Sequence, residues 1–77
     1  MNVVLNNPVL YVVDYPAHDA VEVIDKRRGV GVMFRDEAAR RFRQELLDLE
    51  ATPHEMDDYE DWIDGYETLM TQPAVYH

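Results

Sequence analysis

Along the first 35 residues apolar and polar positions recur with a period near two. Val3 to Leu5 and Val9 to Asp14 are β-branched, apolar runs separated by Asn6-Asn7-Pro8, a triplet of turn residues. The pattern predicts a hairpin. A second pair, Val21 to Asp25 and Val30 to Phe34, flanks Lys26 to Gly29, a four-residue loop with glycine at its end. Tyr15 to Asp19, with Pro16, reads as the loop between the pairs.

Beyond residue 35 the period lengthens to 3.6. Asp36 is placed to cap a helix on which Ala38, Ala39, Phe42, Leu46 and Leu49 form one apolar stripe, running to about Glu50. Thr52-Pro53-His54-Glu55 then carries a start signal: threonine as N-cap, proline at the first helical position, and glutamate completing a capping box. In the helix it opens, Met56, Tyr59, Trp62, Ile63, Tyr66, Leu69 and Met70 share one face. Asp57, Glu60, Asp61, Asp64 and Glu67 share the other. Gly65 weakens this helix and Pro73 stops it. The expectation is one α+β domain over 1–77, because 77 residues cannot divide into two cores. Its parts are a strand region 1–35, a helical region 36–71 and a tail 72–77. The architecture is a four-stranded antiparallel sheet of two hairpins with two amphipathic helices on one face.

This order creates a mismatch. The run from Val9 to Val13 is apolar at every position, so both of its faces need cover, and two helices shield one face. Val4, Leu10, Val12 and Met33 are the candidates for the unshielded side. Either the hairpin buries both faces within one chain, or a second copy or another protein closes the patch.

Charge adds a second asymmetry. The chain carries 16 acidic and 7 basic residues, for a net charge of −9. Residues 1–25 contribute −4, residues 26–43 contribute +5 with every base of the chain, and residues 44–77 contribute −10. The segments either form separate surfaces for different partners or neutralise each other in the fold. Lys26, Arg27 and Arg28 on a hairpin tip with Arg40, Arg41 and Arg43 on the first helix would make a basic ridge for nucleic acid if they converged. The surrounding carboxylates oppose a phosphate backbone. Leu47 falls off the apolar stripe near Arg40 and Arg43, a composition suited to a protein contact. The acidic face of the second helix could meet a basic protein. If its carboxylates repel one another in the fold, acidification raises stability.

Catalytic and metal chemistry finds little purchase. The chain has no cysteine, no serine and three scattered histidines, His18, His54 and His77. His54-Glu55 opens like a zinc-binding HExxH motif, but Asp58 stands where the second histidine belongs. Asp57, Asp61 and Asp64 share a helix face, and the spacing around Gly65 does not fit a calcium loop. Gly29-Val30-Gly31 reads as a flexible turn. We expect no enzyme activity, no cofactor, no specific metal and no membrane insertion. The opening segment also fails as a signal peptide, so the expected location is the cytoplasm. The expected role is a protein interaction module that self-associates as a homodimer, with a small nucleic-acid binder using segment 26–43 as the alternative.

Asn7-Pro8, Glu22-Val23-Ile24-Asp25-Lys26, Phe42-Arg43 and the ending Leu69-Met70-Thr71-Gln72-Pro73-Ala74-Val75-Tyr76-His77 resemble a family of short β-proteobacterial proteins of unknown function. The resemblance spans the chain and implies a small bacterial protein. It transfers no activity, site residue or cofactor. An ordered tail packed on the sheet would account for so particular an ending.

Overall fold

A computed structural model describes residues 2–74. Five strands form a single antiparallel meander in the order β1 (Asn2–Asn6), β2 (Leu10–Tyr15), β3 (Ala20–Asp25), β4 (Val30–Arg35) and β5 (Gln72–Pro73). Two helices, α1 (Asp36–Glu50) and α2 (Met56–Asp64), pack on one face.

Short-range chemistry sets both hairpins. The Asn7 side-chain Oδ1 accepts the backbone N–H groups of Val9 and Leu10, each at 2.8 Å, which turns the chain between β1 and β2. In the β3–β4 loop Gly29 sits at φ 67°, a left-handed conformation glycine adopts without steric cost, and its N–H donates to the Asp25 carbonyl. Gly31, by contrast, is a strand residue rather than part of the turn.

The register decides which side chains meet the helices. Val12 opposes Val23, and Val23 opposes Val32, on the face covered by Phe42 and Leu46 of α1 and Tyr59 and Ile63 of α2. Leu10 and Val12 lie on this face and are fully buried. They are therefore core residues and offer no surface to a partner. Their exclusion from water contributes about 1.5–3 kcal/mol each. The opposite face carries Tyr11, Val13 and Ile24, also buried, packed with Tyr15 and Ala74. Both faces of the Leu10–Val13 run are thus closed within one chain. Met33 is on this second face, half-buried opposite Glu22.

Four local expectations change. The second helix starts at Met56, with Glu55 as N-cap, because the Asp58 carboxylate accepts the Glu55 backbone N–H at 2.8 Å. Thr52 instead bonds back to the Leu49 carbonyl at the end of α1. The helix stops at Asp64 rather than near residue 71, since Gly65 follows a last turn with no basic residue to oppose the helix dipole. Asp36 begins α1 but makes no side-chain cap. Part of the tail forms the fifth strand: Gln72 pairs with Gly31 and Pro73 with Val30, at a sheet edge where the missing proline N–H is tolerated. Val75 to His77, and with them the expected packing of the chain's last residues, lie outside the described residues.

A Cβ on Gly31 would come 2.8 Å from the Val23 carbonyl oxygen. Gly31→Ala should therefore lower unfolding stability by about 1–3 kcal/mol in urea titrations, the opposite of the gain that strand propensity alone would give. An unchanged or higher midpoint would contradict this packing.

Candidate functional site

The charged residues singled out in the sequence mostly face one another. Asp25 is fully buried at the end of β3, and its carboxylate accepts Arg27 N–H, Nε and Nη2 at 3.0, 3.1 and 3.1 Å and Arg28 Nη1 at 2.9 Å. The same two guanidiniums reach Asp64 at the end of α2, each at 2.8 Å, and Arg28 reaches Glu67 at 3.3 Å. Across the molecule, Arg43 donates to Asp14 at 2.7 Å, Asp19 at 2.9 Å and the Ala20 carbonyl at 3.2 Å. Arg40 also pairs with Asp19, and Arg41 pairs with Glu45 at 3.1 Å. Five of the six arginines are thus in ion pairs among the described residues. The segregated charge of the sequence is largely mutual neutralisation. Arg40 and Arg43 serve as ties between α1 and the start of β3, and the acidic residues expected on one helix face divide, with Asp64 at the end of α2 and Glu67 beyond it turned to the hairpin. Asp57 and Asp61 are exposed and Glu60 is half-buried.

Leu47 is the apolar candidate that stays open, 62% exposed on α1. It borders a groove of about 260 Å³ between α1 and the β1–β2 edge, floored by Val12, Val21, Phe42 and Leu46 and flanked by Arg43 and Glu50. Val4, 48% exposed, forms the facing lip. It reaches that side because the β1–β2 register shifts between Val3, opposite Val13, and Leu5, opposite Val12. β1 is the outermost strand on this side of the sheet. Residues 1–13 contain no charged side chain.

Sequence reasoning missed a second concavity. A cleft of about 610 Å³ between β4, α1 and α2 is walled by Phe34, Trp62 and Tyr66, with Glu37, Arg41 and Glu45 on the α1 side. Glu45 Oε1 accepts the Tyr66 hydroxyl at 2.6 Å and Trp62 Nε1 at 3.0 Å. The four-residue steps Arg41/Glu45 and Trp62/Tyr66 were the only signal available, and each is also what an ordinary helix contains. Elsewhere, His54 bonds the Thr52 carbonyl and the Tyr59 hydroxyl, which also reaches Glu50. Met33 lines a shallow depression with His18 and Arg35. Among the described residues no three His, Asp or Glu side chains gather as metal ligands. No helix is long and apolar enough to cross a membrane.

These contacts displace several titrations. Burial pushes the Asp25 carboxyl up, but the Arg27 hydrogen bonds and the two guanidinium charges outweigh it and hold the group below the usual carboxylate range. The hydrogen bond from Arg43 lowers Asp19, those from Arg27 and Arg28 lower Asp64, and those from Trp62 and Tyr66 lower Glu45. Burial and the Glu45 carboxylate push the Tyr66 hydroxyl up to about 12. For the four lowered carboxyls the stabilisation is complete above the ordinary range near pH 4 and is lost as pH falls through their lower folded values. For Tyr66 it is complete below about pH 10 and lost as pH rises through its folded value. The sign expected from repulsion among the α2 acids is thereby reversed at Asp64, where pairing prevails. Urea midpoints should fall from pH 6 towards about pH 2.5 and again above about pH 10.5. A midpoint that rises on acidification would contradict the pairing.

Comparison with known proteins places the chain. It is 28% identical over 85 residues to Protein BTH_I0359 of Burkholderia thailandensis, covering the whole of both sequences. No solved structure matches it. The pattern of the DUF3567 family, described as a protein of unknown function, matches residues 2–77. The resemblance read from the sequence is borne out, and the chain belongs to the DUF3567 family.

Proposed function

We propose that this protein is a non-catalytic interaction module whose binding surface is the β1–α1 edge and whose partner there is a second copy of the same chain. The observation that carries the proposal is the uncharged outer strand beside the Val4–Leu47 groove. An open strand edge offers unpaired backbone N–H and C=O groups, and proteins usually blunt such edges with charges or proline. β1 has neither; its sequence is Asn-Val-Val-Leu-Asn. The bulge at Val4 gives it only local irregularity and turns an extra valine towards the groove.

Charge restricts where a second copy can dock. Two chains of net charge −9 repel one another over most approaches. The segment 1–13 is the longest stretch without a charged side chain, so contact along it keeps the carboxylates of both copies apart. A two-fold arrangement would set β1 against β1 and place each Leu47 near the opposing groove, a self-complementary contact of the kind closed dimers use. The non-catalytic part of the reading is supported by the absence of serine and cysteine and by the separation of His18, on the Pro16–His18 turn, from His54, on the α1–α2 loop. The nucleic-acid alternative is weakened by the engagement of Arg27, Arg28, Arg40, Arg41 and Arg43 with carboxylates.

Sedimentation velocity from about 5 µM to about 500 µM should show a shift from monomer to dimer. Val4→Asp or Leu47→Glu should weaken that dimer by about tenfold or more, by placing a carboxylate in an apolar contact. Both residues are exposed in the monomer, so its unfolding free energy should stay within about 0.5 kcal/mol of the parent. A parent chain that remains monomeric throughout the range would refute the proposal.

A further inference from the structure

The cleft between β4, α1 and α2 has the dimensions of a ligand site, about 610 Å³, and lies apart from the β1–α1 edge. The Trp62 and Tyr66 rings stand nearly perpendicular, at 86° with centroids 6.1 Å apart, and Phe34 meets Tyr66 edge-on at 5.4 Å. Trp62 on α2 and Tyr66 just beyond its end aim their polar groups at Glu45 Oε1, so the carboxylate is fixed against an aromatic wall. Glu37 lines the same cleft one helical turn before Arg41, and it has no hydrogen-bond or ion-pair partner among the described residues.

Arg41 shows what the fixed carboxylate accepts. Its Nε donates to Glu45 Oε2 at 3.1 Å while the side chain remains 79% exposed. It is a guanidinium resting at the mouth of the cleft, held by one exposed ion pair, which is a weak tie. Two carboxylates against one arginine leave the cleft at −1 within a chain of −9. Aromatic faces attract cations through the ring quadrupole, and this attraction grows as water is excluded. The acidic field of the whole molecule raises the local concentration of cations at the site. An anion would meet repulsion at Glu37 and Glu45, and a purely apolar ligand would leave both carboxylates unused.

From this geometry we infer that the cleft is a binding site for a small organic cation, an ammonium or guanidinium head carrying apolar substituents, with Glu37 and Glu45 as counter-ions and Trp62, Tyr66 and Phe34 as the aromatic wall. Arg41 engages Glu45 at the mouth of the cleft in the free protein and competes with the ligand for that carboxylate. The inference is independent of the dimer proposed above, because it uses other residues of α1 and another chemistry.

Trp62 is the only tryptophan in the chain and reports directly on the cleft. The protein is titrated with tetramethylammonium chloride and with methylguanidinium chloride, each to about 20 mM, against sodium chloride at matched ionic strength. Organic cations should give a saturable change in Trp62 emission with half-saturation near 1 mM, as suits so small a ligand. Sodium chloride should not reproduce it. Glu37→Gln, at an exposed residue with no structural tie, should weaken binding about threefold or more by removing a counter-ion. Arg41→Ala should strengthen it by a similar factor, since the competing guanidinium is gone. Saturation by only one of the two probes would assign the site to that head group. No saturation with either, the same response to sodium chloride, or an Arg41→Ala variant that binds no more tightly would overturn the inference.

Discussion

A fully buried carboxylate governs the charged half of this molecule. Asp25 ends β3 in a position that water does not reach, and an ionised carboxylate there is sustained only by the donors that Arg27 and Arg28 supply from the turn that follows. Those donors come from residues two and three positions along the chain, so the turn must fold back over its own strand. Gly29, left-handed and free of a side chain, lets it do so. Once placed, the guanidiniums extend to Asp64 and link the sheet to the far end of α2. Arg43 performs the equivalent task at the other end, joining α1 to Asp14 and Asp19. An acid-rich chain thereby holds its helices to its sheet by directing its few cations inward.

Much of the fold was legible because its determinants are local. The β-branched, apolar runs Val9–Asp14 and Val21–Asp25, the Asn7 turn and the apolar stripe of α1 each follow from neighbouring residues, and α1 occupies the expected 36–50. What escaped depends on partners far along the chain. Leu10 and Val12 point to the helices and Tyr11 and Val13 away from them, a parity that a continuous apolar run cannot reveal and that only cross-strand pairing fixes. The Gln72–Pro73 strand is two residues long and contains proline, so it exists only because the β4 edge receives it. Asp58 outcompetes Thr52 for the start of α2, a choice between two adequate capping signals.

The candidate surfaces divide in the same way. The segregation of charge was plain in the sequence, but its outcome required knowing that Asp14, Asp19, Asp25 and Asp64 come within reach of the arginines. Leu47 was visible as an outlier on its helix, and the structure supplies its neighbours, Val4 and the groove between them. The aromatic cleft was almost hidden, since Glu45 receives Trp62 from α2 and Tyr66 from the turn that follows it. The resulting molecule has a neutral, apolar edge on one side and a negatively charged, aromatic cleft on the other, with internal ion pairs between them.

The inward use of cations is the claim on which this view of the molecule rests, and a double-mutant cycle at its centre measures it. Unfolding free energies are compared for the parent chain, Asp25→Asn, Arg27→Gln and the double variant. The account predicts a coupling of about 1.5 kcal/mol or more, as expected where one member of the pair is buried and bound through several hydrogen bonds. Single effects that add to within about 0.3 kcal/mol would show that the buried carboxylate does not depend on its arginine, and the account would fail.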